Sequence, residues 1–200
     1  MRLLRPPARL ASLRVPLRAI ALGLLVAMAA PCVSAQTRES HAEISAEYRV
    51  KAGFLFNFPQ FVEWPESAFL TPQDPIVIGV LGDDPFGDYL DELVRGEKIG
   101  RRAVVVRRFA RVEAVSACQI LYLGREQRLQ PAPPLTGLAG RSILTVGESE
   151  GFERSGGIIR FSIENGKVRL RVNASAAKAS GLAISSKLLR LSTIVTPPKD

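Results

Sequence analysis

The chain has 200 residues, 46% of them hydrophobic and 23% charged, with a formal charge of +8. That length suits one domain rather than two, and that balance excludes wholesale disorder. A charge of +8 taken alone points to a phosphate-rich partner such as nucleic acid, so the location of the charges matters.

Residues 1–18 carry five arginines and no acid, and residues 19–30 form the uncharged run AIALGLLVAMAA. Pro31-Cys-Val-Ser-Ala35 follows and ends in a small-x-small pattern. This order is that of a secretory signal peptide, with cleavage expected after Ala35 and export from the cytoplasm. The apolar run of 12 residues reaches about 18 Å as a helix, short of a hydrocarbon core of about 30 Å. Without the leader, 22 Lys and Arg remain against 19 acids, a charge of +3. Bulk charge then no longer argues for nucleic acid. Cys32 leaves with the leader, so Cys118 is the single thiol of residues 36–200, in an oxidising compartment. One thiol makes no intrachain disulfide. Cys118 opens the apolar run CQILYL and is expected to be a small buried group.

Residues 36–42 are polar, and a helix is expected from Glu43. Tyr48, Lys51, Leu55 and Phe58 share one helical spacing, and Val50, Phe54, Phe58 and Phe61 another, which predicts burial over much of its girth. Pro59 and Pro65 bound its end, and Trp64 reads as a lid on the core. The apolar run 75–82 (PIVIGVLG) suits a strand covered on both faces. Asp84 then caps a helix with Pro85 at its first position, running through Phe86, Tyr89, Leu90 and Leu93. Strands are expected at 101–109, 120–123 and 142–146, with a polar connection at 125–138 that has room for a short helix. Asn165-Gly166 is a strong two-residue hairpin turn, and it sets a register from Glu164 opposite Lys167 to Ile159 opposite Val172. Every apolar pair then falls on one face. A short helix is expected at 174–180 before Gly181, and a last one at 184–194. The class is therefore α/β: a single domain with a central, mostly parallel sheet flanked by helices and a late antiparallel hairpin. The domain is placed at 36–195, with a tail at 196–200.

Catalytic constellations are hard to assemble. The one histidine, His41, lies in the polar N-terminal segment, away from any nucleophile it would have to hold. No Cys/His cluster suits zinc or a redox metal, and no dinucleotide or Walker fingerprint occurs. The stretch from Gly79 to Gly87 has the wrong spacing for a phosphate loop, and Asp83 and Asp84 would oppose an anion. No enzyme, metal or cofactor is expected. The remaining candidate is the polar face of the hairpin. Arg160, Lys167, Arg169 and Arg171 lie on it, and the register sets Arg160 opposite Arg171. Like charges face to face need water, a bridging acid or an anion. Arg160, Arg169 and Arg171, together with Lys187, are the candidate contacts for a ligand or partner.

Several segments resemble one family. Tyr48–Phe58 (YRVKAGFLFNF) followed by FVEWP at 61–65, then IGVLGDDPF at 78–86, CQILY at 118–122, ILTV at 143–146 and GGIIRF at 156–161 are similar in order to the YfiR-like family of exported bacterial proteins. The closing GLAISSKLLRL at 181–191 is also typical. The resemblance implies a periplasmic regulator that binds the periplasmic domain of an inner-membrane diguanylate cyclase, holds it inactive, and so lowers cyclic-di-GMP and biofilm formation. Relatives accompany other membrane sensors, histidine kinases among them. The alternative is accordingly a sensor of a small anionic ligand acting on such a kinase. The resemblance leaves room for a homodimer and for a small ligand. Some relatives carry disulfides, which Cys118 alone does not reproduce within one chain.

Overall fold

The computed structural model describes residues 44–124, 134–138 and 140–196. The expected signal peptide, His41 and most of the 125–138 connection lie outside the described residues. Helix α1 (Ala46–Asn57) starts where Ser45 Oγ accepts the Tyr48 N–H and continues into a 3-10 turn at Phe58–Gln60, where Pro59 stops the α-helical ladder. Strand β1 (Val62–Glu63) is brief. Strand β2 (Ile76–Leu81) is buried at all six positions, as its unbroken apolar run predicts.

The next helix departs from expectation. Asp84 does not cap it. Its carboxylate accepts the N–H groups of Phe86 and Gly87 at 2.8 and 3.2 Å, closing a turn, and α2 (Asp88–Val94) begins only after Gly87. Two residues of β3 (Lys98–Ile99) then turn back onto β4 (Arg102–Phe109), and β5 (Ile120–Leu123) and β6 (Leu144–Gly147) come next. Residues 134–138 hold a 3-10 turn. Strands β7 (Ile159–Glu164) and β8 (Lys167–Val172) form the hairpin in the expected register at every pair. Asn165 and Gly166, at φ 51° and 69°, supply the left-handed turn that a side chain other than Asn or Gly resists. Helix α3 (Ala174–Ala179) is capped by Asn173.

The helix expected at 184–194 is shorter, α4 (Ser186–Arg190), because both ends of that segment are drawn into strand pairing. β9 (Ala183–Ile184) joins β1, and β10 (Thr193–Ile194) joins β8.

The main sheet runs β10-β8-β7-β6-β5-β2-β4-β3. Its centre, β4-β2-β5-β6-β7, is parallel throughout. Leu55 of α1, Leu90 of α2, Ala177 of α3 and Leu188 of α4 all enter the same core cluster, with Ile78, Tyr122, Val146 and Phe161 from the sheet. The opposite face is closed by shorter pieces, with Val115, Leu138 and Phe152 over Val77, Leu121 and Leu123. Among the described residues the helical cover is thus one-sided: the β4–β5 link carries only a 3-10 turn at Val112–Ala114.

The ends of β2 and β5 touch backbone to backbone. A Cβ built at Gly124 would lie 2.2 Å from the Asp83 carbonyl oxygen. Gly124→Ala is therefore expected to lower the urea midpoint clearly, by about 2 kcal/mol or more, since one of the two chains must move. A neutral result in chemical denaturation would mean that this approach is not needed.

Candidate functional site

In open α/β sheets, ligands bind beyond the carboxyl ends of the strands, where successive connections leave in opposite directions. Here that point lies between β2 and β5, the position that the Asp83–Gly124 approach closes. Beside it, Glu148 follows β6 and is buried against α1. Lys51 Nζ reaches Glu148 Oε2 at 2.9 Å and also pairs with Glu47 one helical turn earlier. Tyr122 donates its hydroxyl to Glu148 Oε1, and the Tyr48 hydroxyl lies 3.5 Å from Oε2. The Lys51 ammonium also sits 4.5 Å from the centre of the Tyr48 ring, close enough for a cation–π contact. Lys51 is 1% exposed, so these contacts replace its whole hydration shell. The Lys51–Glu148 pair ties α1 to the end of β6. Lys51 shares the apolar helical stripe of Tyr48, Leu55 and Phe58, and spacing alone does not name its partner. A lysine in an apolar stripe was the available signal.

The hairpin arginines are also answered from within. Glu153, 2% exposed, projects from the β6–β7 loop between them. Its Oε2 lies 3.0 Å from Arg160 Nε and its Oε1 3.2 Å from Arg171 Nε. The second contact is a hydrogen bond. The first is a charge contact at an angle that makes none, which leaves Arg160 Nε and Glu153 Oε2 without a hydrogen-bond partner among the described residues. Asn173 holds the loop in place by donating to the Glu153 carbonyl at 2.7 Å. Glu164 stands 3.8 Å from Arg171. Arg169 is exposed farther along the same strand face. Lys187 is not brought to these arginines, because α4 packs on the other face of the sheet through Leu188. Of the strand-β4 arginines, Arg102 stacks on Phe69 at 3.6 Å, and Arg108 pairs with Asp84 at 2.7 Å and Asp91 at 2.5 Å.

The second apolar stripe of α1 has a different fate from the first. Val50, Phe54, Phe58 and Phe61 line an open groove of about 390 Å³ whose far walls are β8, Leu188 of α4 and Leu191 just after it. Val50 is 49% exposed, so the helix is less enclosed than its two apolar stripes predict.

A family model described as YfiR/HmsC-like matches residues 48–193. The chain belongs to the YfiR/HmsC-like family. Its members are periplasmic regulators of signalling. The match takes in Lys51, Glu148, Glu153 and the groove. No curated protein matches the chain. No helix among the described residues of this YfiR/HmsC-like protein is long and apolar enough to cross a membrane. Nor, among them, do three or more His, Cys, Asp or Glu side chains gather where they could hold a metal ion.

Trp64 of this YfiR/HmsC-like domain is partly buried, packs on the larger core cluster and donates to the Gln119 carbonyl at 3.2 Å. Cys118 is the small buried group expected. Its Sγ lies 2.8 Å from the Ile120 carbonyl oxygen, and burial pushes its pKa up to about 12. The thiolate is the reactive form, so iodoacetamide at pH 8 is expected to leave the native protein unmodified over hours and to label it in urea. Rapid native labelling, read by mass spectrometry, would show a more open Cys118.

Proposed function

We propose that this protein is a periplasmic repressor of a membrane-bound signalling enzyme, in the first instance a diguanylate cyclase, and that it acts by binding the enzyme's periplasmic domain. The observation that carries this reading is the family match across nearly the whole described domain. The polar clusters agree with it. Lys51 with Glu148, and Glu153 with Arg160 and Arg171, set charge against charge within the domain. A repressor of this kind binds one conformation of its partner more tightly and moves the equilibrium by that difference in affinity. The alternative, a sensor of a small anion acting on a histidine kinase, is the weaker reading, since Glu153 already stands between the two arginines such an anion would use.

Deletion of the gene followed by measurement of cyclic-di-GMP tests the proposal. The level is expected to rise and to return on complementation. An unchanged level rejects the cyclase-repressor reading.

A further inference from the structure

The large apolar side chains exposed among the described residues are Val50, Leu70, Ile163, Leu191 and Ile194. All but Leu70 lie on the side of the sheet that α1 and α4 cover. Val50 and Leu191 line the groove between α1 and α4. Ile163 stands opposite Val168, which lines it too, and Ile194 lies beside the core residue Val172 on the same sheet face. Apolar exposure gathered in this way marks an interaction surface.

We infer that this groove receives an amphipathic, acid-flanked segment of a protein partner, whose apolar ridge enters between Val50, Phe54 and Leu191. The inference rests on the regulatory reading above and assigns its contact surface. The flanking charges select the occupant. Of the hairpin and α4, which wall the groove, α4 carries Lys187 and Arg190 and the hairpin brings Arg169 to the groove's edge, none of them held in an ion pair among the described residues. Glu164, the one acid on these elements, is turned toward Arg171. Acidic flanks on the partner would meet these cations and steer its approach. A second copy of this chain fits worse, because a two-fold contact sets a patch against itself and would oppose cation to cation. A small apolar ligand would fill the groove but leave Ile163 and Ile194 bare. A bilayer surface suits a protruding apolar ridge, whereas this surface is concave and takes one.

The probes are two labelled helical peptides with leucine at i, i+3, i+4 and i+7. One carries glutamate at the remaining positions, the other lysine. Fluorescence anisotropy with the purified protein is expected to show saturable binding of the glutamate peptide. The lysine peptide should bind at least about tenfold more weakly, and Leu191→Glu or Val50→Glu should weaken the glutamate peptide at least about tenfold. Leu70→Glu, away from the groove, should change nothing. The assignment is overturned if neither peptide binds, if both bind equally, or if Leu70→Glu is as damaging. It is overturned as well if phosphatidylglycerol vesicles bind through the same residues, or if Leu191→Glu turns a dimer into a monomer. Thermal melts of each variant exclude loss of fold. A cell assay separates this inference from the reading beneath it. If wild type and Leu191→Glu restore the cyclic-di-GMP level of the deletion strain equally, the groove assignment falls and the repressor reading stands. If deletion changes nothing, the repressor reading falls and the peptide result decides the groove.

Discussion

Replacing Lys51 with methionine is expected to lower stability by about 3–5 kcal/mol, measured by chemical denaturation. Methionine fills much the same space, so packing is largely kept and the loss reports charge. Glu148, 6% exposed at its side chain, would lose the ammonium that faces its Oε2 at 2.9 Å, while the Tyr48 and Tyr122 hydroxyls stay beside it. A buried carboxylate that loses its counter-charge bears more of the cost of its lost hydration. Glu47 is a third exposed and can turn to water, so its share of the loss is small. The double variant Lys51→Met with Glu148→Met removes both charges and should recover much of the stability, because an apolar pair of similar volume often matches a buried ion pair. The cycle of single and double variants measures the coupling directly. A loss below about 1 kcal/mol for Lys51→Met would mean that water reaches Glu148 freely and that α1 is held by packing alone.

Why this pair escaped sequence reading, while the hairpin did not, is a matter of range. The hairpin is local: Asn165-Gly166 fixes the turn, period-two apolar alternation fixes the faces, and the whole register results. Strand β2 was equally legible, since a run of buried apolar residues bounded by turn residues has few other uses. The two-residue strands β3, β9 and β10 carry no periodicity to read. Segment 184–194 is the clearest case. Its leucines fit a longer helix, yet Ile184 is held by Val62 and Ile194 by Val172, and tertiary pairing overrides local preference. Lys51 and Glu148 meet only after β6 has been placed beside β5, an outcome that no spacing encodes. The bridging acid between the arginines was foreseen as one way to relieve Arg160 opposite Arg171. Which acid does so was not legible, because Glu148, Glu150 and Glu153 share one loop and differ only in what each meets in space.

Glu153→Ala is the second substitution expected to act strongly, by about 3 kcal/mol, since it removes the counter-charge of two guanidinium groups that stand directly opposite each other. Glu153→Gln keeps the shape and should lose nearly as much if charge is what matters. If only packing matters, it should lose under about 1 kcal/mol. The alanine variant carries a second expectation. With the carboxylate gone, sulfate or phosphate has two arginines to bind at the vacated position, so these anions should stabilise Glu153→Ala beyond wild type at equal ionic strength. Mass action gives about 1.4 kcal/mol at an anion concentration ten times its dissociation constant. Equal salt responses in the two proteins would show that the arginines simply turn to water. The contrast bears on ligand sensing in the intact protein. An external anion must compete with a carboxylate that is already in place and loses no translational freedom on binding. Asn173 holds the Glu153 backbone, so displacing that carboxylate also means moving the β6–β7 loop.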